Sequence, residues 1–198
     1  IALDKTGTLT TGTPRVTDVI ALDGTDKHQL LALAAAVESQ SEHPLAEAIV
    51  AHARDQGVGV AAATSFEALL GSGARASVNG EEVWIGSPRL FAEVAPDAWT
   101  PSEIAALQDE GKTVVILGKG TQPVGLIALR DEPRPNAAAA LAALKDAGIE
   151  HIVMLTGDNE RTARAIAGAL GIEYEAELKP ADKVAAIERL RERFGAIA

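Results

Sequence analysis

Apolar residues fall into three regimes along the chain. Ile1–Leu3 is a short apolar run that breaks into a polar, glycine-bearing stretch, DKTGTLTTGTPR, which Gly12 and Pro14 mark as non-helical. Residues 16–22 are strand-like. An apolar-faced helix then follows Asp26 as N-cap, and a second runs from about Pro44 to Gln56 with Gly57 closing it. In the middle regime, short runs of Val, Ile, Ala and Trp are broken by glycine. Asn79-Gly80 between two of them predicts a tight hairpin. Short helices are expected over 88–94 and 102–110, and TVVILGKGTQPVGLIAL reads as two strands joined by GKGTQ.

After residue 130 the pattern changes again. A helix over 135–147 ends at Gly148, and HIVMLT at 151–156 is an all-apolar run of the kind found in buried parallel strands. A helix ending at Gly171, a short extended EYEAEL and a helix opened by Pro180 complete the chain. This alternation of strand and helix predicts an α/β doubly wound parallel sheet. Ile1–Leu3 needs neighbours in such a sheet, and residues 150–178 supply them. The middle is then an inserted α+β domain with an antiparallel sheet. The expected division is 1–15 with 129–198 against 16–128.

Composition narrows the class. The chain has 198 residues, 47% of them hydrophobic, which suits a folded core. It has no Cys, so neither a disulfide framework nor a thiolate metal site is expected. Lys and Arg number 18 against 28 Asp and Glu, a net charge of −10, which argues against a nucleic-acid partner. No apolar run reaches the ~18 residues of a membrane span. The opening inside an apolar run suggests a piece of a longer protein.

Asp4 directly follows the first apolar run, and strand ends of parallel sheets are where ligands bind. A carboxylate there can attack a phosphoryl group. Gly7 lets backbone N–H groups approach phosphate oxygens, and Lys5 brings positive charge. Taken alone, DKTGT fits a turn after a strand equally well. A second site tips the balance. Thr156-Gly157-Asp158-Asn159 follows the apolar strand, where the Thr156 hydroxyl and a helix start suit an anion and Asp158 suits Mg²⁺ or nucleotide. Lys183, early in the last helix, is a third candidate, though alone it reads as a solvated lysine.

Together these residues resemble a family. DKTGTLT at 4–10 is similar to the phosphorylation signature of the P-type ATPases, and TGDN at 156–159 and PADK at 180–183 resemble that family's next two signatures, in order. The resemblance implies the haloacid dehalogenase fold, with Asp4 taking the γ-phosphate of ATP. It implies that Lys5, Thr6, Thr156 and Lys183 position the phosphoryl group, that Asp4 and Thr6 hold Mg²⁺, and that Gly157 and Asp158 lie by the cofactor. Asp131 and Arg134 fall where the family returns from its insert, at the ribose or in the hinge. A charged linker is an equal reading. Soluble phosphatases of the superfamily carry an acid/base Asp where this chain has Thr6, and a threonine cannot do that work. A persistent phosphoenzyme is expected.

Within the insert, SEHP at 41–44 and GSG at 71–73 would separately be a helix cap and a turn. Paired after DKTGTLT they resemble the heavy-metal (type IB) branch, which implies that Glu42 and His43 hold adenine and that Gly71 and Gly73 admit the nucleotide. Copper members commonly have Gly-Asn where this chain has Gly86-Ser87, which favours zinc, cadmium, lead or cobalt as cargo. The four histidines form no helical ligand pair, so no transport-metal site is expected here. The implied setting is the cytoplasmic face of a membrane, with transmembrane and actuator domains as partners. The family's Gly-Asp-Gly-x-Asn-Asp signature is expected beyond Ala198, which would leave autophosphorylation weak or absent. The alternatives are a soluble phosphohydrolase of the same superfamily and a non-catalytic nucleotide-binding module.

Overall fold

A computed structural model describes residues 1–22, 24–94 and 102–198. They form two compact units. The first comprises Ile1–Thr13, Gln108–Lys112 and Asp131–Ala198, the second Pro14–Leu107 and Thr113–Arg130.

In the first unit, β1 (Ala2–Asp4), β8 (Val153–Leu155) and β9 (Glu173–Glu175) make a parallel sheet in the order β1-β8-β9. Asp4 pairs with Leu155, and Leu155 with Glu175, so the three carboxyl ends lie side by side. α5 (Ala137–Asp146), α6 (Glu160–Leu170) and α7 (Pro180–Phe194) complete the unit. Met154, Ile152, Leu141, Ala163 and Leu9 form one core cluster, and Val153, Leu155, Ala186 and Leu190 another. The sheet is therefore buried on both faces, which is why its central strand is wholly apolar. Gly171 ends α6 in the left-handed conformation, its amide donating back to Ala167 and Gly168.

The second unit holds β2 (Arg15–Ala21), α1 (Lys27–Glu38), α2 (Pro44–Asp55), β3 (Ala63–Leu69), β4 (Gly73–Val78), β5 (Glu81–Gly86), α3 (Pro88–Val94), α4 (Ser102–Asp109, whose last two residues belong to the first unit), β6 (Thr113–Lys119) and β7 (Gln122–Arg130). Its six strands form an antiparallel sheet in the order β2-β7-β6-β5-β4-β3. β6 and β7 are central and covered on both faces. Val115, Leu117, Ile127 and Leu129 pack toward α1 and α2, while Val114, Ile116, Leu126 and Ala128 pack with Phe91, Ile104 and Leu107. Period-two alternation thus divides a continuous apolar run between two cores. α1 is apolar nearly all round and buries Leu30, Ala34 and Val37 completely. Gly125 makes room for it, since a Cβ there would lie 2.5 Å from both Leu30 methyls.

Asn79 and Gly80 both have positive φ, 53° and 83°, as a two-residue hairpin turn requires. The β6–β7 connection is tighter than the sequence suggests. Lys119 pairs with Gln122, so only Gly120 and Thr121 form the turn. Gln108–Lys112, inside the expected insert, belongs to the first unit. There Thr162 Oγ1 donates to the Lys112 carbonyl at 2.8 Å, and a Cβ on Gly111 would meet Ile166 at 3.4 Å. Among the described residues no helix is long and apolar enough to cross a membrane.

Candidate active site

The site of the first unit grows from the end of β1. After Asp4 the chain makes one wide turn over Lys5–Leu9, closed by the Thr10 amide donating to the Lys5 carbonyl at 3.0 Å. The turn is interrupted at Thr6, which is extended, and at Gly7, whose φ of 76° suits glycine. Leu9 anchors the turn in the core, so Thr6, Gly7 and Thr8 stand exposed at the strand end.

Two lysines meet two carboxylates here. Lys5 is 7% exposed, and its Nζ lies 2.6 Å from Asp158 Oδ2. Lys183 Nζ donates to Asp4 Oδ1. Lys183 occupies the first turn of α7, where a cation opposes the helix dipole. Asp182 beside it offsets this by accepting the Lys179 amide at 2.9 Å. Thr156 is 2% exposed, and its Oγ1 accepts the Asp158 amide at 3.1 Å. That leaves the hydroxyl proton to donate elsewhere. Asn159, not Asp158, caps α6 by accepting the Thr162 amide. Asp158 is thereby released from capping to pair with Lys5. Gly157 permits close approach, since a Cβ there would be 3.3 Å from the Leu178 carbonyl. The structure thus gathers Asp4, Lys5, Thr6, Thr156, Gly157, Asp158 and Lys183 at adjacent strand ends. An anion placed among them meets two ammonium groups, a hydroxyl donor and an N-terminal helix turn.

Asp131 has its carboxylate committed. Oδ2 accepts the Thr10 hydroxyl at 2.6 Å, while Oδ1 accepts the Thr11 hydroxyl at 3.1 Å and the Gly12 amide at 3.0 Å. All three contacts lie on the Thr10–Gly12 segment of the first unit.

In the second unit His43 is the N-cap of α2. Its Nδ1 accepts the Leu45 amide at 3.2 Å, which in the neutral ring leaves the proton on exposed Nε2. Glu42 is exposed. The distinctive carboxyl is instead Glu38, at the end of α1, which the sequence reading passed over. Burial pushes its pKa up to about 7 against the lowering pull of the Ser41 hydroxyl. A helix ending one turn before SEHP was the available signal.

The two glycines of GSG differ. Gly71 has φ 72° with open space around it, a turn requirement. Gly73 faces backbone, since a Cβ would sit 2.2 Å from the Ile85 carbonyl oxygen and 2.5 Å from Gly86 Cα. Its missing side chain lets β4 and β5 meet. Gly73 pairs with Gly86, and the Ser87 amide donates to the Ser72 carbonyl at 2.8 Å, so the GSG loop and Gly86-Ser87 form one cluster. Ser87 Oγ accepts the Leu90 amide at 3.3 Å and helps cap α3. Among the described residues no hydrogen bond joins the Glu42–His43 turn to this cluster, nor do three or more His, Cys, Asp or Glu residues form a cluster able to hold a metal ion.

Comparison with known proteins gives a consistent assignment. Residues 1–198 match the haloacid dehalogenase-like hydrolase family. A copper-transporting P-type ATPase of Rhizobium leguminosarum bv. viciae is 44% identical over 200 residues, covering 100% of this chain and 24% of that protein. A zinc/cadmium/lead-transporting P-type ATPase of Escherichia coli is 45% identical over 192 residues, covering 97% of this chain and 26% of that protein. The chain therefore spans about a quarter of the length of these curated relatives, 24% and 26%. Among solved structures, the catalytic domain of the CPx-ATPase CopB-B aligns with TM-score 0.74 at 32% identity, over 97% of this chain and 66% of that one. A zinc-transporting PIB-type ATPase aligns with TM-score 0.64 at 44% identity, over 97% of this chain and 31% of that one. The copper-transporting and the zinc/cadmium/lead-transporting relatives are thus similar to this chain to nearly the same degree, 44% and 45%.

Proposed function

Because the chain belongs to the haloacid dehalogenase-like hydrolases, in their heavy-metal P-type ATPase branch, we propose that it binds ATP and transfers the γ-phosphoryl group to Asp4. The supporting observation is the pairing of Lys183 with Asp4 beside Lys5 and Asp158, where two strand ends meet. A γ-phosphate entering here draws Lys183 from Asp4 onto its own oxygens. One Asp4 oxygen is then free to attack phosphorus. The new bond joins that oxygen to phosphorus, the bond from phosphorus to the β–γ bridging oxygen breaks, and ADP leaves with the electron pair. Thr156 donates its hydroxyl proton to an equatorial oxygen, and Lys5 holds Asp158 in place.

Mg²⁺ fits this donor set. It takes hard oxygen ligands, usually one or two carboxylates with waters and substrate phosphates, and Asp4 and Thr6 supply two such positions. Bound there, it supplies neutralisation of the charge on the transferred group. Thr6 offers no carboxylate to activate water, so the aspartyl phosphate persists. In the second unit, His43 Nε2–H and the carboxyl of Glu38, with Glu42 beside them, recognise the purine edges, and Gly71 and Gly73 line the nucleotide loop. A pKa of about 7 lets Glu38 either donate or accept.

The whole protein is then an ATP-driven cation pump. Transmembrane and actuator domains are this chain's partners, and it lies at the cytoplasmic face. Ser87, in place of the asparagine common in copper members, supports a divalent cargo such as zinc, cadmium, lead or cobalt. Metal-stimulated ATPase activity of the full pump, compared between Zn²⁺ and Cu⁺, tests that choice.

The central experiment incubates the chain with γ-labelled ATP and Mg²⁺ and asks for an acid-stable, hydroxylamine-labile phosphoprotein. Asp4→Asn should abolish it while ATP affinity by calorimetry persists. Phosphate release with no trapped phosphoprotein would favour the soluble phosphohydrolase. ATP binding without turnover, unaltered by Asp4→Asn, would favour a nucleotide-binding module.

A further inference from the structure

The loop after Asp4 is held by a second segment whose role the proposed reaction leaves open. Residues 131–134 run antiparallel to 9–12. The Thr11 amide donates to the Glu132 carbonyl at 3.0 Å, the Arg134 amide to the Leu9 carbonyl at 2.9 Å, and Thr10 bridges Pro133. The side chains at its two ends grip different parts of the loop. Asp131 takes Thr10, Thr11 and Gly12. Arg134 reaches the turn itself, where Nη2 donates to the Gly7 carbonyl at 2.7 Å and Nε to the Thr8 carbonyl at 3.1 Å.

These two bonds fall where the turn is least constrained. Gly7 has no side chain, its φ is 76°, and nothing lies within 4 Å of where a Cβ would be. Such a residue permits its flanking peptides to rotate. A trans peptide is planar with C=O and N–H opposed. Fixing the Gly7 carbonyl therefore turns the Thr8 N–H away from Arg134, and fixing the Thr8 carbonyl does the same for Leu9. A guanidinium suits the task because its rigid fork spans two acceptors at once, which a lysine ammonium cannot reproduce. Pro135 biases Arg134 toward extended backbone, so the fork is presented by a stiffened segment beside the Thr10–Pro133 bridge.

We propose that Arg134 is a positioning residue for phosphoryl transfer: it orients the Gly7–Thr8 and Thr8–Leu9 peptides of the turn that follows the nucleophile. This rests on the phosphorylation reading above. It assigns Arg134 neither to nucleotide binding nor to a solvated linker.

The test compares wild type, Arg134→Ala and Arg134→Lys in the full chain. Amide hydrogen exchange without nucleotide should rise at Thr8 and Leu9 in both variants, with the β8 and α6 amides unchanged. The rate of Asp4 phosphorylation at saturating MgATP should fall about 10- to 100-fold, the scale of an ångström-size misplacement. ATP affinity should stay at the wild-type value. Added guanidinium ion should partly restore the Ala variant, and Lys should not restore it. Unchanged exchange at Thr8 and Leu9, or a wild-type phosphorylation rate, overturns the proposal. Parallel loss of ATP affinity overturns it too, making Arg134 a nucleotide ligand. If wild type itself forms no phosphoprotein, the phosphorylation reading fails, while the exchange pattern still decides whether Arg134 sets the turn.

Discussion

Glu38 shows how one residue can set a pH dependence. Burial disfavours the charged form and pushes its carboxyl up to about 7 in the folded chain, well above the ordinary value of 4.5. The native state therefore holds this proton more tightly than the unfolded state. Stability contributed by the group is fully present below about pH 4.5 and is lost as pH rises through 7. Glu38→Gln should match wild type near pH 4.5 and exceed it at pH 8, by up to about 3 kcal/mol on the conversion of 1.36 kcal/mol per unit. Urea melts of both proteins at the two pH values check this. The helix end before SEHP marks its position in the sequence, but its burial is decided by the tertiary packing of α1. By contrast, Asp4, Thr156 and Lys183 were legible because three motifs in order mark strand ends. Their pairing was not. No spacing rule says that Lys5 turns inward to Asp158 while Lys183 reaches Asp4. The glycines of GSG make the same point. Gly73→Ala should destabilise by several kcal/mol, because its Cβ would collide with the Ile85 carbonyl at 2.2 Å, while Gly71→Ala should cost only the price of a left-handed alanine, about 1 kcal/mol. Thermal melts of the two variants separate them.

At the level of elements, the strongest sequence signals were those with a local cause. Asp26 caps α1 by accepting the His28 and Gln29 amides at 3.0 and 3.2 Å, so Asp26→Ala should cost about 1 kcal/mol in a denaturant melt. Asn79-Gly80 and Gly171 likewise follow from φ alone. What failed was whatever depends on a neighbour. The β6–β7 turn shrank to Gly120-Thr121 because ladder pairing continued into Lys119 and Gln122. Ser65 adopts φ 53° in β3 where the register with β4 shifts between Thr64 and Glu67, and no residue pattern announced that bulge. Gly125 reads as a weak point in an apolar strand, yet it is where Leu30 seats. Gly125→Ala should destabilise by about 1–3 kcal/mol through overpacking, read as a lower urea midpoint at unchanged slope.

At the scale of the chain as a whole, a net charge of −10 repels an anionic nucleotide at long range. Stopped-flow association of ATP should therefore quicken as salt rises from about 20 to 200 mM, because the Debye length shortens to under 10 Å. A basic binding face would give the opposite slope. The change in hydrophobic period near residue 130 coincides with the point, Asp131, where the chain rejoins the first unit. The assignment of Gln108–Lys112 was not legible in the sequence, because it depends on Gly111 fitting beside Ile166 and on a hydrogen bond from Thr162.

The way the insert begins and ends has an evolutionary consequence. Its first and last strands are ladder partners, with Arg15 opposite Arg130 and Val16 opposite Leu129. Antiparallel neighbours lie about 5 Å apart, so an excursion of more than a hundred residues leaves and returns through a gap no wider than that of a hairpin. Loop-closure entropy, which would otherwise burden the host sheet, is absorbed by the guest's own ladder. Such an insert can be lengthened, shortened or exchanged for an unrelated one while its host keeps β1 and the turn after Asp4. Replacing 17–128 with a two-residue turn also removes Gln108–Lys112, so the miniature should retain the parallel sheet but lose amide-exchange protection around Thr162, a result that circular dichroism and exchange at β8 and α6 would register.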